Sequence, residues 1–156
     1  MKFSIKTKIK TSPEQIYHAW LTSKAHGAMT GGDAKCSSKV GGKFSAWDGY
    51  ILGKNLELIK DKYIKQSWRT IEFDQDQPDS ILEIALKEIK PGITELTLSH
   101  SVLLPKDLKY KMGWVEKLFR SYESIFRIKK RIKHERCSKN ITVWLLCLHQ
   151  VVAGDN

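Results

Sequence analysis

The chain has 156 residues, 41% hydrophobic and 10% aromatic, with a formal net charge of +10 from 27 Lys and Arg against 17 Asp and Glu. That length suits one domain with a real core and is too short for two ordinary ones. The three cysteines, Cys36, Cys137 and Cys147, are odd in number and lack a C-x-x-C pair, which excludes a disulfide framework or zinc site and predicts free thiols. Met1 to Lys10 alternates charged and apolar residues without building a signal-peptide core, so a cytoplasmic location is expected.

Residues 2–10 alternate strictly, with Phe3, Ile5 and Ile9 opposite lysines, as a half-buried first strand should. Thr11 or Ser12 then caps a helix with Pro13 at its first position and Glu14 in its first turn, its apolar face running from Ile16 to Leu21. Residues 22–34 are small and polar, and Gly27, Gly31 and Gly32 limit them to a loop or a helix of about two turns. On this reading His18 and His26 are exposed.

From Lys35 onward the pattern is strand and turn. Strands are predicted at 35–40, at 43–52 with a turn or bulge at Asp48-Gly49, at Leu56–Lys60 and at Tyr63–Thr70. After a polar loop at 74–79 come two long alternating runs, Ser80–Ile89 and Ile93–Leu103, joined by the hairpin signal Pro91-Gly92. Leu82, Ile84 and Leu86 share one face of the first run, and Leu96, Leu98, His100 and Val102 share one face of the second. No internal repeat or low-complexity segment is present.

From Pro105 to Phe126 the spacing predicts one long helix, capped by Asp107, with a stripe of Leu108, Met112, Val115, Leu118, Phe119, Tyr122, Ile125 and Phe126. The expected architecture is α+β of the helix-grip kind: a curved antiparallel sheet of about six or seven strands around that helix, with one or two short helices after strand one. Residues 1–126 form the domain and residues 127–156 a basic, then apolar, extension.

Beyond Phe126 seven basic residues face two acidic ones. Such a cluster can bind phosphates or anionic headgroups, but the plainer reading is a solvated, dipole-complementing helix end, which leaves nucleic acid outside the expected partners. Residues Ile141 to Val152 hold nine apolar residues in twelve. That run is too short to span a bilayer, which needs about 20, and too apolar to leave in water, so a homodimer through residues 140–156 is expected.

A curved sheet leaves space against its helix, and such spaces receive apolar ligands. The alternation places Phe44, Asp48 and Tyr50 on one face and Gln66 and Trp68 on another. If these faces point inward, they join Leu82, Ile84, Leu98 and His100, with Trp114, Leu118 and Tyr122 closing from the helix. Asp48, Gln66 and His100 are then the polar groups of the pocket. Aromatics in so small a domain are more often core than ligand cradle, because each buries a large area. His100 is either a ligand contact or base, or a structural histidine bonded to its neighbours. Gly41-Gly42 lacks phosphate-loop spacing, and no metal, cofactor or catalytic constellation is predicted.

Five motifs in order, S-P-E-x-I-Y-x-A-W at Ser12–Trp20, G-G-K-F-x-A-W-D-G-Y-I-x-G at Gly41–Gly53, I-x-Q-S-W-R at Ile64–Arg69, T-x-L-x-L-x-H ending at His100, and Gly113-Trp114, carry a family resemblance. Together they resemble the C-terminal domain of the heat-shock-protein-90 ATPase activators, within the START-like or Bet v 1-like superfamily that also holds polyketide cyclases. The chain resembles the stand-alone form of that domain, and the segment beyond residue 126 matches no family pattern. The resemblance implies a helix-grip fold and three candidate functions. These are binding of an apolar small molecule between sheet and helix, association with a chaperone, and cyclase- or hydrolase-type chemistry.

Overall fold

The computed structural model describes residues 1–119 of the chain. The expected extension with its dimer contact, the end of the long helix and Tyr122 therefore lie outside the described residues, as does the side chain of Leu118. Among the described residues no helix is long and apolar enough to cross a membrane.

Strand β1 (Phe3–Ile9) is followed by helices α1 (Pro13–Leu21) and α2 (Ser23–Thr30), then by β2 (Ala34–Lys35), β3 (Lys43–Ala46), β4 (Ile51–Ile59), β5 (Tyr63–Thr70), β6 (Ser80–Lys90) and β7 (Ile93–Ser101). The seven strands form one antiparallel sheet in the order β1-β7-β6-β5-β4-β3-β2. This is an α+β fold consistent with a helix grip. The β6–β7 register sets Leu82 opposite His100, Ile84 opposite Leu98 and Leu86 opposite Leu96, so period-two alternation on both strands delivers one apolar face to the core. On β5 the same face carries Ile64, Gln66, Trp68 and Thr70, all buried. Trp20 of α1 reaches it, since its indole N–H donates to Gln66 Oε1 at 3.0 Å.

Helix α1 starts as its sequence dictates, with Ser12 at the cap, Pro13 in the first turn and Ile16, Ala19, Trp20 and Leu21 buried. The glycines around α2 have specific duties. Gly31 ends the helix at φ +79°, its N–H donating to the Gly27 carbonyl, while a Cβ on Gly27 would lie 2.8 Å from the Gly32 carbonyl oxygen. Gly27 therefore permits a close backbone approach within the helix, and of the two expected forms, loop or helix of about two turns, the segment takes the helix.

The strand expectations between residues 35 and 60 are refined. Of the predicted 35–40 strand only Lys35 pairs, as part of β2, because buried Asn55 holds the following loop as a loop: its Nδ2 donates to the carbonyls of Ser37 (2.7 Å) and Lys39 (3.0 Å). The predicted 43–52 run divides at the expected Asp48-Gly49 turn, in which the Tyr50 N–H donates to the Trp47 carbonyl and both central residues, Asp48 and Gly49, have positive φ. That is the type I′ requirement, and it turns the chain back as β4. The separate strand predicted at Leu56–Lys60 is the second half of β4, beyond a bulge between Asn55 and Glu57.

The segment after β7 also differs. It begins with a 3₁₀ turn, Pro105–Lys109, continues as one α-turn, α3 (Tyr110–Gly113), and then widens to a π-helical turn, Trp114–Phe119. Asp107 does not cap a helix from outside. It lies inside the 3₁₀ turn, buried, its carboxylate accepting from the Leu104 N–H at 3.0 Å and from Gln77 Nε2 at 2.7 Å. Met112 and Val115 of the expected stripe are 61% and 36% exposed, and the inward positions are Tyr110 and Trp114, four residues apart.

Candidate functional site: a cavity between sheet and helices

Three walls enclose a cavity of about 130 Å³. Helices α1 and α2 supply Trp20, His26 and Thr30; the sheet and its β3–β4 turn supply Phe44, Trp47, Tyr50, Gln66, Trp68 and Leu82; and α3 with the following turn supplies Tyr110, Gly113 and Trp114. The aromatics meet across the space, with ring centroids 6.2 Å apart for Trp20 and Trp114 and 6.0 Å for Trp68 and Trp114. These separations are ordinary for packed aromatic pairs, so the space is bounded by mutually supporting rings.

Of the residues expected at the pocket, Phe44, Tyr50, Gln66, Trp68, Leu82 and Trp114 stand on its wall. Ile84, Leu98 and His100 are buried in the core behind that wall. Asp48 is exposed at the tip of the β3–β4 turn, because the turn breaks the alternation that would have aligned it with Phe44. Among the wall residues that sequence reasoning missed, His26 matters most. It was expected to be exposed, yet only 6% of its surface is accessible. A three- and four-residue step from His26 to Met29 and Thr30 was the available signal, weak in so short a segment of small and polar residues.

Gln66 fixes the floor by accepting from Trp20 and donating to Asn55 Oδ1 at 2.7 Å, which ties the cavity to the 36–42 loop. At the rim, Glu72 accepts from the Tyr50 hydroxyl at 2.7 Å and pairs with Lys109, while Thr70 and Tyr110 share a 2.8 Å hydrogen bond. The hydrogen bond from Lys109 is the main cause holding the Glu72 carboxyl below its usual range, and burial together with Glu72 raises the Tyr50 phenol.

His100 is fully buried and fully bonded. The Ser80 hydroxyl donates to the Trp68 carbonyl at 2.6 Å, so the 2.8 Å contact between Ser80 Oγ and His100 Nε2 has the imidazole N–H as donor. His100 Nδ1 then accepts from the Trp114 indole at 3.2 Å. Burial pushes the imidazole pKa down to about 4 against a smaller opposing effect of Asp107. The pair is therefore wired against nucleophilic catalysis: the serine proton is committed to a carbonyl, and the imidazole has no free lone pair to receive it. The structural role for His100 is the one the geometry supports. Among the described residues no three His, Cys, Asp or Glu side chains converge as metal ligands.

Comparison with known proteins identifies the family on this scaffold. The family model described as activator of Hsp90 ATPase homolog 1-like protein matches residues 10–128. The chain belongs to this family. It is 29% identical over 127 residues to the mouse activator of 90 kDa heat shock protein ATPase homolog 1, a match covering 80% of this chain and 37% of the mouse protein. The match thus spans little more than a third of that curated relative. A solved structure of an HSP90 activator from Plasmodium falciparum superposes with a TM-score of 0.74 at 25% identity, covering 81% of this chain and 96% of that one. The Aha1 dimer from Colwellia psychrerythraea shares the fold, with a TM-score of 0.63 at 19% identity over 74% of this chain and 88% of that one.

Proposed function

We propose that the chain is a chaperone-associated protein that engages an Hsp90-type chaperone through its surface. The supporting observation is family membership over residues 10–128 together with relatives named as activators of that chaperone's ATPase. Titrating labelled full chain with its cognate Hsp90-type chaperone tests the reading. Saturable binding with an altered rate of ATP turnover is expected, and no binding at concentrations well above micromolar would overturn it. The homodimer through residues 140–156 belongs to the same proposal: deleting those residues should convert a dimer to a monomer by light scattering, and an already monomeric full chain would remove it.

A second reading, favoured by the aromatic cavity, is that the domain holds a small apolar molecule between sheet and helices. A cavity of about 130 Å³ is below the usual range of drug-sized sites but close to the roughly 150 Å³ that admits benzene. Thermal denaturation against an array of single-ring compounds tests it. A ligand at 100-fold over its dissociation constant adds about 2.7 kcal/mol, and no stabilisation by any ring compound would exclude this reading. The two experiments read different quantities, chaperone binding with ATP turnover in one and thermal stability of the chain in the other, so they report independently.

A further inference from the structure

The polar atoms around the cavity are nearly all committed to one another. Three of the indoles on its wall donate internally, Trp20 to Gln66, Trp47 to the Thr30 carbonyl at 3.1 Å and Trp114 to His100. His26 is different. Its Nδ1 lies 3.0 Å from the Trp20 carbonyl, an acceptor, so Nδ1 carries the proton and Nε2 of the neutral ring is left as an acceptor. Burial lowers the pKa of this imidazole, against a smaller opposing effect of the Trp20 carbonyl, which keeps the ring neutral near pH 7.

Nε2 has no partner among the described residues, although the side chain is more than nine-tenths buried. Gln77 Oε1 is the only sealed, unpartnered polar side-chain atom among those residues, and the open volume on whose wall His26 stands is the cavity. The Trp68 indole N–H is also without a partner among the described residues and not sealed. The wall therefore offers one acceptor and one donor, the combination that a hydroxyl satisfies. Among the described residues no lysine or arginine stands on the wall, so an ionised ligand would be buried unpaired there at high cost.

Resting on the ligand-binding reading, we propose that the cavity takes a neutral single-ring molecule bearing a hydroxyl, of phenol class, whose O–H donates to His26 Nε2. The ring fits the volume and the indole faces, and the hydroxyl supplies the missing donor. The acceptor selects against rings lacking a donor, because filling the cavity with such a ring would leave Nε2 buried and unpaired.

The test compares p-cresol with toluene, which share a ring and methyl group and differ by the hydroxyl, by calorimetry on the full chain and on His26→Leu. The wild-type chain should bind p-cresol about tenfold more tightly than toluene, and the variant should bind both about equally. Equal binding by the wild-type chain, or a preference that survives in His26→Leu, would overturn the hydroxyl-to-His26 contact while leaving ligand binding intact. Failure of both compounds, and of the wider ring array, would remove the ligand reading itself. Should the variant not fold, the ¹⁵N shift of His26 Nε2 in the wild-type chain decides: p-cresol should move it and toluene should not, and an unmoved shift at saturating p-cresol would overturn the proposal.

Discussion

Two histidines, His100 on β7 behind the sheet wall and His26 on α2 in the helix wall, belong to the same aromatic cluster and are buried for different reasons. His100 has both ring nitrogens occupied, by Ser80 and by Trp114, and stacks edge-on against Trp68 at 4.8 Å. His26 has one nitrogen occupied, by the Trp20 carbonyl, and meets Trp20 edge-on at 5.4 Å. A buried polar group whose hydrogen bonds are complete fixes the structure around it, whereas one with an open bond facing a cavity is available to something else. Burial alone does not separate the two. Completeness of hydrogen bonding does.

The largest expected effect falls on the completed network. His100→Leu leaves the Trp114 N–H without its acceptor and should lower stability by about 3 kcal/mol in urea unfolding. His26→Leu leaves only the Trp20 carbonyl unpaired, for which about 1 kcal/mol is expected. Equal losses would erase the distinction between the walls.

Acid sharpens the same contrast. Because the folded pKa of His100 is depressed to about 4 from the ordinary 6.5, its unprotonated form favours the fold. That stability is fully present above about pH 6.5 and is lost as pH falls toward 4, a loss on the order of 3 kcal/mol from this one group. Unfolding free energies between pH 7 and 4 should show it, and His100→Gln should flatten that part of the profile. A wild-type profile no steeper than that of the variant would contradict the assignment.

The smallest effect belongs to the rim. Glu72 and Lys109 are solvent-exposed partners, and exposed ion pairs are screened. Lys109→Ala should leave the thermal midpoint unchanged within error. A large drop would make the rim, and not the His100 network, the anchor of the segment after Pro105.

Much of the β6–β7 wall was legible in the sequence. Alternation on both runs and the Pro91-Gly92 turn sufficed to put Leu82, Ile84, Leu98 and His100 on one face, because a paired strand has only two faces and the apolar residues choose one. The role of His100 was not legible, since it depends on Ser80 and Trp114, which approach it only in three dimensions. On the α2 wall it was His26 that was misread, as exposed, for a local reason: Gly27 serves a close backbone contact, and in sequence a glycine with that duty does not show which side of a short helix packs inward. Asp48 was misplaced because a type I′ turn stops the period-two count. After Pro105, the alternation of 3₁₀, α and π turns has no single period, and the residues that point inward, Tyr110 and Trp114, are aromatics that bury more area than the predicted Met112 and Val115.

Long-range ¹H–¹⁵N correlation spectra of the histidine rings at pH 7 test the contrast between the two walls most directly. The account predicts two neutral rings of opposite tautomer, His100 protonated at Nε2 and His26 at Nδ1, with His100 remaining neutral until the pH nears 4. Both rings in the Nε2–H form, or either one titrating near its ordinary value of about 6.5, would contradict it.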